Sequence, residues 1–187
     1  MFSDLDVISE GLDFFFSQDP SMVDLIKGPV CRVRQVHGRE LLHLRPELID
    51  DLSGPQYLQY SYDGLITADS GPVLTVYSAD CIPLLFFDPK RRVIASVHAG
   101  WKGTILGISR LTIKKMAGEF QSDPSDIRVI SGPSIHSCCF EIRQDVATIF
   151  GRENPAWEEW ITRSDGKMKL DLQRVNRHQL VHEGVMA

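Results

Sequence analysis

The chain has few cysteines, no long apolar run and no basic excess. Its four cysteines, Cys31, Cys81, Cys138 and Cys139, are too irregularly spaced for a secreted disulfide framework, and no Cys-x-x-Cys pair offers a closed structural zinc site. They are expected as thiols, ligands or nucleophiles in a reducing compartment. No stretch approaches the ~20 apolar residues of a membrane span. The opening Met1-Phe2-Ser3-Asp4-Leu5-Asp6 is acidic where a signal peptide is basic, and Phe14-Phe15-Phe16 is too short for its apolar core, so a cytoplasmic location is expected. Twenty Lys and Arg against 25 Asp and Glu give a net charge of -5, the wrong sign for a nucleic-acid or anionic-membrane partner. Neither an internal repeat nor a low-complexity tract is present.

What is present, 187 residues of which 43% are apolar, reads as one globular domain over 1–187. A chain this long buries roughly 70% of its unfolded surface without help from a disulfide or metal, which leaves any metal free for chemistry. Val73 to Tyr77, Ile82 to Phe87 and Val93 to His98 read as strands, the last two joined by the turn Asp88-Pro89-Lys90-Arg91. Thr104 to Phe120 reads as an amphipathic helix capped by Thr104 and ending near Gly118. Asp126 to Ile130 is a further strand and Arg143 to Phe150 a short helix. Asp50 to Tyr62, Gln121 to Asp126 and Arg163 to Lys167 read as loops. Strands interleaved with helices predict an α/β (α+β) domain.

Arithmetic on the hairpin singles out two residues. Cys81 lies seven residues before Asp88 and His98 seven after Arg91, so symmetric pairing sets them directly opposite, with Cβ atoms about 4.5–5.5 Å apart. A thiol and an imidazole so placed make either a nucleophile and base or two ligands of one metal. His37, in Gln35-Val36-His37-Gly38, would complete a three-ligand set of the kind zinc uses when a fourth position stays open for water. Asp63-Gly64 is either a turn or a carboxylate that orients a ligand or acts as acid or base. Gly100-Trp101-Lys102-Gly103 opens a helix where Lys102 could hold a phosphate. The loop Gly132 to Glu141 carries the adjacent thiols Cys138 and Cys139 and the acid Glu141. His43, His178 and His182 stand in polar contexts and are expected to be solvated.

Gln35-Val36-His37-Gly38, Asp63-Gly64 with Thr67, Ala79-Asp80-Cys81-Ile82-Pro83-Leu84, His98-Ala99-Gly100-Trp101-Lys102-Gly103 and Gly132-Pro133 with Cys138-Cys139-Phe140-Glu141 follow one another in this order. The series resembles the polyphenol oxidase or laccase-domain family, also called purine nucleoside phosphorylases and peptidoglycan editing factors, over roughly residues 33 to 150. The resemblance implies a layered α/β/β/α domain similar to Cys-His deamidase toxins, short at both termini relative to the family. It implies a zinc ion (Zn2+) held by His37, Cys81 and His98. It further implies phosphorolysis of adenosine, inosine, guanosine and methylthioadenosine, and deamination of adenosine. The expected partners are thus purine nucleosides and phosphate, with a monomer favoured. His37, Asp63, Cys81 and His98 are the expected catalytic residues, and Lys102, Cys138 and Glu141 the expected substrate contacts.

Three alternatives stand beside that reading. A copper oxidase needs many clustered histidines, and this chain has six, mostly scattered. A metal-free Cys-His hydrolase, such as one editing peptidoglycan precursors, would be sensitive to thiol alkylation and indifferent to chelators. A catalytically silent protein would bind nucleosides without forming product.

Overall fold

The computed structural model describes residues 28–49 and 56–186, together with Phe14, Phe16 and Ser17. The signal-peptide reading of Met1 to Asp6 and the first part of the Asp50 to Tyr62 loop lie outside the described residues. A five-stranded sheet forms the centre, in the order β2 (Leu41–His43), β4 (Gly64–Thr67), β7 (Val93–Ala99), β6 (Ile82–Asp88), β8 (Arg128–Ser131). All its pairs are antiparallel except β2 with β4. Side chains alternate across it. Ile66, Leu84, Phe86, Val97 and Ala99 join the larger core cluster, under α2 (Ile108–Phe120), α3 (Gln144–Glu153) and α4 (Leu172–His182). Leu65 points the other way, into a smaller cluster with Cys31, Val33 and Leu44. That second cluster is roofed by a three-stranded parallel sheet, β3 (Gln56–Ser61), β1 (Val30–Arg34) and β5 (Val73–Leu74). The result is a mixed α/β domain with helical, five-stranded and three-stranded layers. A central strand covered on both faces favours small or apolar residues, and β7, Val-Ile-Ala-Ser-Val-His-Ala, has them at every position but His98.

Several expectations are corrected. The helix read as Thr104 to Phe120 is two helices, α1 (Trp101–Ile105) and α2, because Gly107 takes the left-handed conformation at φ +78 and breaks the run. Thr104 is therefore no cap. It is buried inside α1, where Asn176 Nδ2 donates to its Oγ1 at 2.9 Å. The second helix runs past Gly118 to Phe120, with Gln121 in the left-handed position closing it. The strand read as Val73 to Tyr77 pairs only at Val73–Leu74. Gln56–Ser61, placed in a loop by its Pro-Gly surroundings, is the strand β3. The Arg163 to Lys167 segment is the tip of a hairpin between β10 (Ile161–Ser164) and β11 (Lys167–Leu170). Its Asp165 and Gly166 sit at φ +52 and +72, as a type I′ turn requires. A two-residue strand, β9 (Glu141–Ile142), pairs with β11. His178 is half-buried rather than solvated, accepting from Trp157 Nε1 at 3.3 Å beside Trp160.

Candidate metal centre

The turn between β6 and β7 is longer than a symmetric reading allows. Asp88 Oδ1 accepts from the backbone N–H of Lys90 and Arg91, at 2.8 and 3.0 Å, so Asp88 becomes the last paired residue, opposite Val93. Four residues, Pro89 to Arg92, then form the loop, with Arg92 at φ +56. This corrects the register: His98 faces Pro83, not Cys81. The slip is two residues, which preserves the face, so Cys81 and His98 are diagonal neighbours on one side of the sheet. That side is the one turned away from the helices, because Leu84 and Val97 occupy the other. Pro83 is accommodated because its position lies beyond the last residue of β8, where Gly132 N–H donates to the Pro83 carbonyl at 2.9 Å.

His37 arrives from the other sheet. Strand β1 ends at Arg34, and the Gln35 amide then replaces strand pairing with a pair of hydrogen bonds to the backbone of Tyr77. Its Nε2 donates to the Tyr77 carbonyl and its Oε1 accepts from the Tyr77 N–H, both at 2.8 Å. This ties the His37 loop to the segment that leads into Cys81. Ser78 Oγ donates to the Cys81 carbonyl and fixes that segment's end. His37 itself takes φ +59, a left-handed conformation rare for a residue with a side chain and common where a site demands it.

Asp63 holds the two histidines in place. Fully buried at the end of the central sheet, it accepts from the backbone N–H of Val36, His37 and Gly38 at 3.3, 2.9 and 2.6 Å, and from His98 Nδ1 at 2.9 Å. Burial alone would raise its pKa, but the bonds from His98, Gly38, His37 and Val36 together hold it below the ordinary carboxylate value of 3.8. At His98, burial opposes the charged imidazole, and the hydrogen bonds to Asp63 and Cys81 outweigh it and push the pKa up to about 9. With Nδ1 committed to Asp63, the Nε2 edge of His98 is the one left for Cys81 or a metal.

The ligand atoms of His37, Cys81 and His98 all lie within 4.8 Å of one another, and among the described residues they form the one group of three or more such side chains. A tetrahedral zinc with N and S ligands at about 2.0–2.3 Å sets them about 3.6 Å apart, so the residues fit a metal with roughly an ångström of closure. Gly100 is the floor of this cluster. A Cβ there would lie 3.0 Å from Cys81 Sγ and 3.3 Å from the His37 ring. Sequence reasoning saw Gly100 only as part of a helix start, although a glycine two residues after a ligand on one strand face is the signal for such a floor.

The other expected residues make contacts of their own outside this cluster. Lys102 is exposed on α1, with Nζ 5.7 Å from the centre of the Trp101 ring. Cys138 lies in the loop between β8 and β9 and Glu141 opens β9, and this loop is tied to the residue before Cys81 by the Ile135 N–H donating to the Asp80 carbonyl at 3.0 Å. Glu141 is exposed and paired with Lys167 at 2.6 Å. Cys138 and Cys139 are both exposed, so neither points to the core.

The profile of a family described as multi-copper polyphenol oxidoreductase laccase matches residues 21–187. A Mus musculus protein named purine nucleoside phosphorylase LACC1 is 42% identical over 126 residues, 67% of this chain and 29% of that protein. A protein from an unknown prokaryotic organism, named adenosine deaminase RL5, is 33% identical over 127 residues, 67% of this chain and 48% of its own. The crystal structure of YlmD from Geobacillus stearothermophilus superposes with a TM-score of 0.71 at 29% identity, covering 84% of this chain and 59% of that one. The chain thus spans less than two thirds of each of these proteins. No helix among the described residues is long and apolar enough to cross a membrane.

Proposed function

The chain belongs to the family of multi-copper polyphenol oxidoreductase laccases, and on that premise we propose that it is a zinc-dependent enzyme of purine nucleosides. The proposed reactions are phosphorolysis of adenosine, inosine, guanosine and methylthioadenosine, and deamination of adenosine. The observation that carries the reading is the gathering of His37, Cys81 and His98 within ligand distance around the Asp63 anchor. The names of the relatives support the two reaction types. Two imidazoles and one thiolate suit zinc, whereas a multicopper cluster would need more imidazoles than the described residues bring together. The location proposed is the cytoplasm, and the protein a monomer of one domain with no nucleic-acid or membrane partner.

In this reading His37, Cys81 and His98 hold the metal, and when bound it supplies a Lewis acid with an open coordination position. Asp63 fixes the tautomer and tilt of His98 and, through the His37 N–H, the pose of the second imidazole. Lys102 offers a positive charge beside the site for phosphate. In phosphorolysis a phosphate oxygen bonds to the ribose C1′ as the bond to the base nitrogen breaks, and the departing base takes up a proton. In deamination water replaces the amino group on C6 and ammonia leaves. Cys138 and Glu141 are proposed to contact substrate from the neighbouring loop.

A second reading has its own observation. His98 stands between Asp63, bonded to its Nδ1 at 2.9 Å, and the Cys81 thiol, whose sulfur lies within 4.8 Å of its ring nitrogen, an order of thiol, imidazole and carboxylate that is also the arrangement of a metal-free Cys-His hydrolase. Product chromatography with adenosine separates the readings, run with and without phosphate and alongside Cys81→Ala. Adenine formed only with phosphate, or inosine in both samples, and lost with Cys81→Ala and with a chelator, supports the zinc enzyme. Turnover that survives the chelator and is abolished by alkylation of Cys81 moves the metal-free hydrolase to the front. Nucleoside binding without product would mark a silent binder.

A further inference from the structure

The loop from Gly132 to Glu141 carries chemistry that the metal centre does not use. Cys138 Sγ and Cys139 Sγ lie 2.9 Å apart, and both residues are exposed. The other cysteines differ: Cys31 is fully buried, with burial pushing its pKa up to about 11, and Cys81 belongs to the metal centre. The turn holding the pair is rigidly tied. The N–H groups of Cys139 and Phe140 both donate to the His136 carbonyl, at 2.9 and 3.0 Å, and Lys169 Nζ donates to the Cys138 carbonyl at 2.6 Å. The Cys139 pKa is raised, first by its hydrogen bond to the Cys138 sulfur, while the Lys169 charge opposes the rise.

We propose that Cys138 and Cys139 are a redox modification site, a vicinal dithiol that small-molecule disulfides such as glutathione disulfide convert reversibly to an intramolecular disulfide. The Cys138 thiolate attacks one sulfur of the small disulfide, forming a mixed disulfide and expelling a thiolate. Cys139 then loses its proton and attacks the Cys138 sulfur, forming the protein disulfide and releasing the second small thiol. Two protein thiols are oxidised and one small disulfide is reduced to two thiols. The second step asks the sulfurs to close from 2.9 Å to a bond of about 2.05 Å. A bridge between sequence neighbours has Cα atoms about 3.8 Å apart, against the usual 4.4–6.8 Å, so it is strained and easily reopened. The pair therefore stays reduced in an ordinary reducing pool and closes when that pool becomes oxidising. The proposed modification lies in the loop whose Ile135 N–H donates to the Asp80 carbonyl at 3.0 Å, one residue before Cys81. It does not depend on the nucleoside reading.

The test uses the full chain, incubated across a series of glutathione to glutathione disulfide ratios, quenched with iodoacetamide and digested with trypsin. The peptide Val129 to Arg143 contains Cys138 and Cys139 and no other cysteine. Its expected fate at oxidising ratios is the loss of two hydrogens with no label and no glutathione adduct, reversed by added thiol. Cys139→Ser removes the resolving thiol and is expected to accumulate a lasting glutathione adduct on Cys138. Double labelling of the wild-type peptide at every ratio, or a lasting glutathione adduct on the wild type, overturns the proposal.

Discussion

Replacing the Asp63 carboxylate by an amide keeps its size and removes the charge that faces His98 Nδ1 and three backbone N–H groups. Carboxylates behind metal-bound histidines typically account for 10–100-fold in affinity, so Asp63→Asn is expected to weaken zinc binding by about that factor in a chelator competition. The same pair sets a pH dependence. The metal-free His98 pKa, about 9, lies above the ordinary 6.5, so its contribution to stability is complete below pH 6.5 and is lost as pH rises through 9. The depressed Asp63 contributes above pH 3.8 and is lost as pH falls through its lowered value. Metal-free protein should therefore melt highest between about pH 4 and 6.5. Zinc must displace the His98 proton, so its affinity should climb between pH 6.5 and 9, with proton release visible by calorimetry in buffers of different ionisation enthalpy. A pH-independent affinity across that window would contradict this account of His98.

The elements that carry the site meet through small residues. A Cβ on Gly103 would lie 2.6 Å from the Gly38 carbonyl, backbone that cannot swing aside. Gly103→Ala is expected to cost about 1–3 kcal/mol by overpacking, read as a lower melting temperature, and to loosen the His37 loop. The helices have a polar seam of their own. Asn176 accepts from Ser109 at 2.5 Å and donates to Thr104 and to the Leu172 carbonyl, each at 2.9 Å, all in the interior. Asn176→Ala removes the partner of the buried Ser109 and Thr104 hydroxyls and should lower stability by about 1–3 kcal/mol in chemical denaturation. The β6–β7 hairpin was legible in sequence because its strands are local and strongly β-branched. Its register was not, because the Asp88 side chain closes a longer turn than its position suggests. The break at Gly107 and the hairpin at Asp165-Gly166 turn on single glycines, whose conformations depend on packing as well as on sequence.

At the level of the whole molecule, Cys81 and His98 flank one hairpin, whereas His37 comes from a distant segment of the chain, so the candidate metal site depends on two stacked sheets. The sequence showed residue types and order. It could not show that β1, β3 and β5 pair in parallel across long connections, which is what carries His37 to the end of the central sheet. Nor did periodicity reveal α4, whose buried face includes Asn176 and Gln179 among its apolar residues. The ordered motifs carried part of that information instead, since four of them hold His37, Asp63, Cys81 and His98, which meet in the fold. We propose that one zinc sits between His37, Cys81 and His98. X-ray absorption at the zinc edge tests it directly. One equivalent of zinc with a single sulfur at about 2.3 Å and nitrogens at about 2.0 Å, the sulfur shell lost in Cys81→Ser, is the predicted result. Protein that takes up no zinc, or a spectrum without sulfur that Cys81→Ser leaves unchanged, would contradict it.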